Sequence, residues 1–154
     1  MSKIFTISKK ILPFKKIITV EGDKSLSIRW VLFSAIADGV STSQNLLQSE
    51  DVMAAINIIK KLGIRVKISK SQFKIFGEGI NGFKFKPGIN LNAENSGTVG
   101  RLILGLLINS PYKIKLIGDK SLSKRDFKRI SDPLSQFGAK FRLNKNKNLP
   151  LKIY

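Results

Sequence analysis

The segments KKLGIRVKI at 60–68 and SQFGAKFRL at 135–143 each carry the same alternation of apolar residues after the same glycine. This internal recurrence constrains the fold of the 154-residue chain more than any other feature. In the first half, KKIITV at 15–20 is a β-rich run stopped by Gly22 and Asp23. Residues 25–37 then place Leu26, Trp30, Phe33 and Ile36/Ala37 at helical spacing, with Ser25 as N-cap and Gly39 as the stop. A short β segment at 41–47 follows. A helix at 50–62 comes next, capped by Ser49, with Val52, Ala55, Ile56, Ile59 and Leu62 on one face and Gly63 at its end. β runs at 64–68 and 72–76 close the half at Gly77.

The second half repeats that order. It reads as a strand at 89–91, a helix opened by Asn95, Ser96 and Gly97, a strand at 113–117, a helix at 124–137, and strands at 141–143 and 149–153. The second helix of this half turns Phe127, Ile130, Leu134 and Phe137 inward and ends at Gly138. The expected architecture is therefore α+β, with β-α-β-α-β-β units at 15–84 and 85–154 behind a leading strand segment at 1–14. A unit of about 70 residues is too long for a solenoid repeat, so two subdomains around a shared core are expected.

The chain has no cysteine and no histidine. That excludes Cys/His zinc sites, disulfides, cysteine nucleophiles and every Ser-His-Asp arrangement, and leaves acid/base work to Asp, Glu, Lys or Tyr. Lys and Arg number 28 against 10 Asp and Glu, a net charge of +18, so an anionic partner is expected. The lysines are scattered, which describes a solvated surface as well as it does a binding face. The six arginines are more informative, because a guanidinium grips carboxylate or phosphate with two hydrogen bonds. No run approaches the ~20 apolar residues of a membrane span, and the N-terminus has no signal-peptide pattern, so a soluble, cytoplasmic protein is expected.

Three strand-to-helix junctions concentrate the candidate chemistry. Lys24 and Ser25 sit in the first turn of the first helix, where unpaired N–H groups attract anions, and Arg29 projects one turn later. Asn95, Ser96, Gly97 and Thr98 open the third helix, with Arg101 following, and Gly97 lets a ligand approach the backbone. Lys124 and Arg125 stand at the expected start of the fourth helix, where cations oppose the dipole. Each junction alone also describes an ordinary capped helix; their equivalent places in the two units would gather them at one edge.

GDKSLSIR, NLLQSEDV followed by KKLG, NSGTVGRL, and IGDKSLSKR followed by DPLSQFGA together resemble the 5-enolpyruvylshikimate-3-phosphate (EPSP) synthase family, in the same order and spacing. The resemblance implies two domains of three β-α-β-α-β-β units each. It also implies transfer of the enolpyruvyl group of phosphoenolpyruvate to the 5-hydroxyl of shikimate 3-phosphate, with release of phosphate. On the matching positions, it implies that Lys24 is catalytic and meets both substrates, that Ser25 and Arg29 hold shikimate 3-phosphate, and that Asn95, Gly97 and Arg125 hold phosphoenolpyruvate. Arg101 matches a family arginine. Glu21, Ile28 and Asp126 depart from the Pro, His and Pro usual at those places.

No cofactor, metal or nucleic-acid partner is implied, and family members are typically monomeric. The family needs about three times this length, so the chain is expected to be an N-terminal fragment of two units, inactive by itself and loosely packed or self-associating. Two readings compete. The related UDP-N-acetylglucosamine enolpyruvyl transferases carry Lys-Asn where this chain has Lys24 and Ser25, and usually use a cysteine. A basic nucleic-acid-binding module fits the charge, but the expected burial of Phe33, Phe127 and Phe137 opposes it.

Overall fold

The computed structural model describes residues 4–6, 8–70 and 72–154. The first unit comprises α1 (Lys24–Ile36), β1 (Asp38–Gln44), α2 (Glu50–Lys61), β2 (Arg65–Ile68) and β3 (Gln72–Glu78). The second comprises β4 (Asn90–Asn92), α3 (Gly97–Leu106), β5 (Ile114–Ile117), a 3-10 turn (Leu122–Lys124), α4 (Lys128–Ser135), β6 (Phe141–Arg142) and β7 (Leu151–Ile153). Helices and two separate sheets make the chain α+β. The antiparallel sheet β1-β3-β2 has the same strand order as β5-β7-β6, to whose outer edge β4 adds in parallel. Gly63 and Gly138 take φ of +92° and +91° at the same place in the two units, a left-handed step that favours glycine.

One apolar core joins the units. Ile28, Val31 and Leu32 of α1, Ile56 and Ile59 of α2, Ile75 of β3, Ile103 of α3, Phe127, and Leu151 of β7 belong to one cluster, each at most 3% exposed. α2 builds its share as expected: Ser49 Oγ accepts from Val52 N, Glu50 and Asp51 complement the helix dipole, and its apolar stripe is buried. Among the described residues no helix is long and apolar enough to cross a membrane.

Several expectations are corrected. Residues 15–20 form no strand, and Ile17 and Ile18 are exposed. Of the expected leading strand, residues 1–3 and 7 lie outside the described residues, and the remainder has no helix or strand. Asp23, not Ser25, caps α1: its carboxylate accepts from Leu26 N at 2.7 Å.

The buried face of α1 is also different. Ser27, Ile28, Val31, Leu32, Ser34 and Ala35 pack inward, while Leu26 and Phe33 are 69% and 62% exposed. This helix is apolar nearly all round, so periodicity alone does not select a face. Ser27 ties the buried face to the neighbouring loop: its hydroxyl oxygen accepts from Leu47 N at 3.1 Å.

The expected helix at 124–137 is broken in two. Asp119 Oδ1 accepts from Leu122 N just ahead of the short 3-10 turn, then Arg125 is extended at φ −79° and ψ 145°, and α4 begins only at Lys128. Arg125 is therefore not at a helix start, and no dipole penalty acts on it. Because α4 stops at Ser135, Phe137 falls outside it and is 74% exposed. Phe127 is buried as expected.

Candidate anion-binding site

The N-termini of α1, α2 and α3 and the extended link before α4 meet around a cleft of about 300 Å³. Lys24, Asn95, Gly97 and Arg125 line it, together with Arg101 and Thr98. Four of the expected site residues thus come together. Ser25 and Arg29 do not line this cleft. Arg29 Nη1 donates to its own helix at Ser25 O, 3.1 Å away, and its side chain borders a shallow apolar groove with Phe33 and Leu102.

The α3 end of the cleft has the sharpest geometry. Ser96 is buried and its Oγ accepts from Val99 N at 3.3 Å, while Ser96 O accepts from Gly100 N. The N–H groups of Gly97 and Thr98 are left for a ligand or solvent. A Cβ at Gly97 would lie 2.9 Å from Arg125 Nη1 and 3.3 Å from Arg101 Nη1. Both guanidinium groups therefore cover Gly97, the first residue of the helix, which has no side chain. Arg125 is steered by Asn95, whose Oδ1 accepts from Nη2 at 3.3 Å. Arg101 lies over the Phe127 ring, 5.7 Å from its centroid.

Three carboxylates that sequence reasoning did not place here also line the cleft: Glu50, Asp51 and Glu94. Asp51 Oδ2 stands 3.6 Å from Lys24 Nζ. Glu94 is held in a tight turn at φ +50°, with its carboxylate accepting from Asn92 Nδ2 at 2.7 Å and its N–H donating to Asn92 Oδ1. Asp51 lies in the NLLQSEDV run, in the first turn of α2. Among the described residues neither Arg101 nor Arg125 makes an ion pair. The cleft's cations thus divide into a lysine already facing a carboxylate and two guanidinium groups beside a helix N-terminus that, among the described residues, have no carboxylate partner. Such an arrangement is suited to gripping a small carboxylate or phosphate.

Fold and cleft together define an α+β chain of repeated units with a polar cleft, lined by three cations and three carboxylates, between them. Its relatives carry a specific name. The family model described as EPSP synthase (3-phosphoshikimate 1-carboxyvinyltransferase) matches residues 8–154. The 3-phosphoshikimate 1-carboxyvinyltransferase of Leuconostoc mesenteroides is 43% identical over 136 residues, covering 88% of this chain and 31% of that protein. The enzyme of that name from Xylella fastidiosa is 38% identical over 151 residues, covering 97% and 33%. The solved EPSP synthase of Acinetobacter baumannii superposes with a TM-score of 0.83 at 35% identity, over 88% of this chain and 31% of that one. The chain belongs to the EPSP synthase family, and it spans about a third of the length of these relatives.

Proposed function

We propose that residues 1–154 form the phosphoenolpyruvate-gripping wall of a 3-phosphoshikimate 1-carboxyvinyltransferase, acting within a family-length, monomeric, cytoplasmic enzyme. The reaction moves the enolpyruvyl group of phosphoenolpyruvate onto the 5-hydroxyl of shikimate 3-phosphate and releases phosphate. The hydroxyl must lose its proton while the vinyl carbon gains one, and both events need positioned groups. In this reading residues 1–14 belong with the other domain, and 15–84 and 85–154 are two of the three units of theirs.

The observation that carries the proposal is Gly97 at the start of α3 beneath two unpaired guanidinium groups. A phosphoenolpyruvate carboxylate or phosphate fits there because it offsets both charges and accepts from the helix N-terminus. Asn95 keeps Arg125 aimed at that position. Lys24, poised 3.6 Å from Asp51, faces the same cleft and meets both substrates. Arg29 and Ser25 hold shikimate 3-phosphate at the flank, for which Arg29 must release the Ser25 carbonyl.

The test is Arg125→Lys in a family-length polypeptide containing this chain. Lysine keeps the charge and loses the fork, so kcat/KM for phosphoenolpyruvate falls about ten- to a hundredfold, the scale of a charge-assisted hydrogen bond. Arg129→Lys, which lies on α4 away from the cleft lining, is the silent control. Wild-type kcat/KM in both variants would overturn the assignment of Arg125.

A further inference from the structure

Both sheets bury one face against the helices and turn the other to solvent. On β3, Phe73 and Ile75 are buried while Lys74 is exposed and Phe76 half-covered. The outward face of the first sheet sets Lys67 directly opposite Lys74. The next outward pair is Arg65 and Phe76, with Arg65 Cζ 3.8 Å and Lys67 Nζ 5.8 Å from the ring centroid.

The second sheet repeats the device. Arg142 is opposite Lys152, and Lys115 extends the row on the other side of Lys152. Lys113 Nζ lies 5.1 Å from the Tyr154 ring, two residues along the same face. Lys67 and Arg142 hold the same place in the repeated segments 60–68 and 135–143, so the opposed cation pair recurs in both units.

Neighbouring strands run ~4.8 Å apart, and like charges directly opposite one another destabilise a sheet. None of the ion pairs among the described residues includes these cations. A polyanion laid across the strands would turn each such repulsion into an attraction. The Tyr154 ring and the Arg65 guanidinium plane that lies on Phe76 are flat groups on which bases can stack, and cations with adjacent aromatics are how sequence-tolerant single-strand binders hold phosphates and bases. The burial that argued against nucleic acid concerned other residues: Phe33 and Phe137 are exposed, and Phe76 and Tyr154 stand on the outer faces.

We infer that the outward sheet faces, centred on Lys67–Lys74 with Phe76 and on Arg142–Lys152 with Tyr154, bind single-stranded nucleic acid. None of these residues lines the cleft described above, so the inference stands apart from the proposed transferase chemistry.

The experiment is fluorescence anisotropy of the full chain with a labelled oligouridine of about 20 nucleotides, from ~50 to ~200 mM salt. The Lys67→Gln, Lys74→Gln, Arg142→Gln, Lys152→Gln quadruple variant should bind at least about tenfold more weakly and lose about 3 from its salt slope, at ~0.7 per phosphate contact. Tyr154→Ala should weaken binding by about tenfold, the scale of one lost base stack, without changing that slope. A control that neutralises Lys16, Lys60, Lys86 and Lys128, all exposed and off these faces, should leave the slope unchanged. Unaltered thermal unfolding of the variants shows that the fold is intact. The inference is overturned by absence of binding at the lowest salt, by an equal loss in the control set, by equal affinity for heparin, or by a preference for acidic vesicles over the oligonucleotide.

Discussion

Replacing Gly97 by alanine separates the stability of α3 from the binding it provides. Gly97 has no left-handed φ, so its backbone accepts alanine, and a glycine-to-alanine change in a compatible helix position stabilises by about 0.4–1 kcal/mol. The new methyl would stand 2.9 Å from Arg125 Nη1 and 3.3 Å from Arg101 Nη1. These are the tips of flexible side chains, so the guanidinium groups can move aside at little cost to folding. Moving aside takes them off the helix N-terminus, and the methyl itself occupies the approach to the Gly97 and Thr98 N–H groups. Loss of one charge-assisted hydrogen bond costs about 1.5–3 kcal/mol, so the KM for phosphoenolpyruvate should rise about ten- to a hundredfold. Steady-state kinetics and thermal unfolding of a family-length polypeptide test both halves. An unchanged KM with raised stability would refute the idea that a ligand approaches Gly97. A large fall in melting temperature would refute the claim that the crowding is confined to flexible tips.

Other outcomes follow from the same geometry. Asp51→Asn removes the partner of a Lys24 ammonium that is about half exposed, so unfolding free energy in urea should change by less than about 1 kcal/mol. Phe127→Ala empties a fully buried ring that packs beside Gly100 and beneath Arg101, and should cost about 3–5 kcal/mol by the same measurement. A loss under about 1 kcal/mol would show that the joint between α3 and α4 is not packed as described.

Much of this was legible where local chemistry and burial agree. Ser49 and Ser96 are N-caps in the sequence and in the structure, and the α2 stripe is the buried stripe. The glycine steps at 63 and 138 mark the same left-handed exit in both units. The signals failed where no local preference decides. α1 is apolar on every side, so Phe33 could be read inward although Ser27 and Ser34 are the residues that face the core. Residues 15–20 have strand composition, yet nothing pairs with them among the described residues except one weak tie, Asn45 Nδ2 donating to Val20 O at 3.3 Å.

Arg125 is the instructive case within the site. Its expected prominence rested on a cation opposing a helix dipole, whereas the chain avoids that conflict by breaking the helix and leaving Arg125 extended. What brings it to the cleft is Asn95, thirty residues earlier, through a contact that no spacing rule encodes. The carboxylates of Glu50 and Asp51 carry no such signal, because acids in a first helix turn are explained by the helix dipole alone.

The most direct measurement is an amide NMR titration of a family-length polypeptide with phosphoenolpyruvate, in the presence of shikimate 3-phosphate. If the cleft at the start of α3 holds the ligand, the Gly97 and Thr98 amides should show the largest saturable shifts among residues 15–154, with the Arg125 and Arg101 side-chain N–H signals moving at the same ligand concentration. Saturable shifts centred elsewhere, with Gly97 and Thr98 unmoved, would contradict the account.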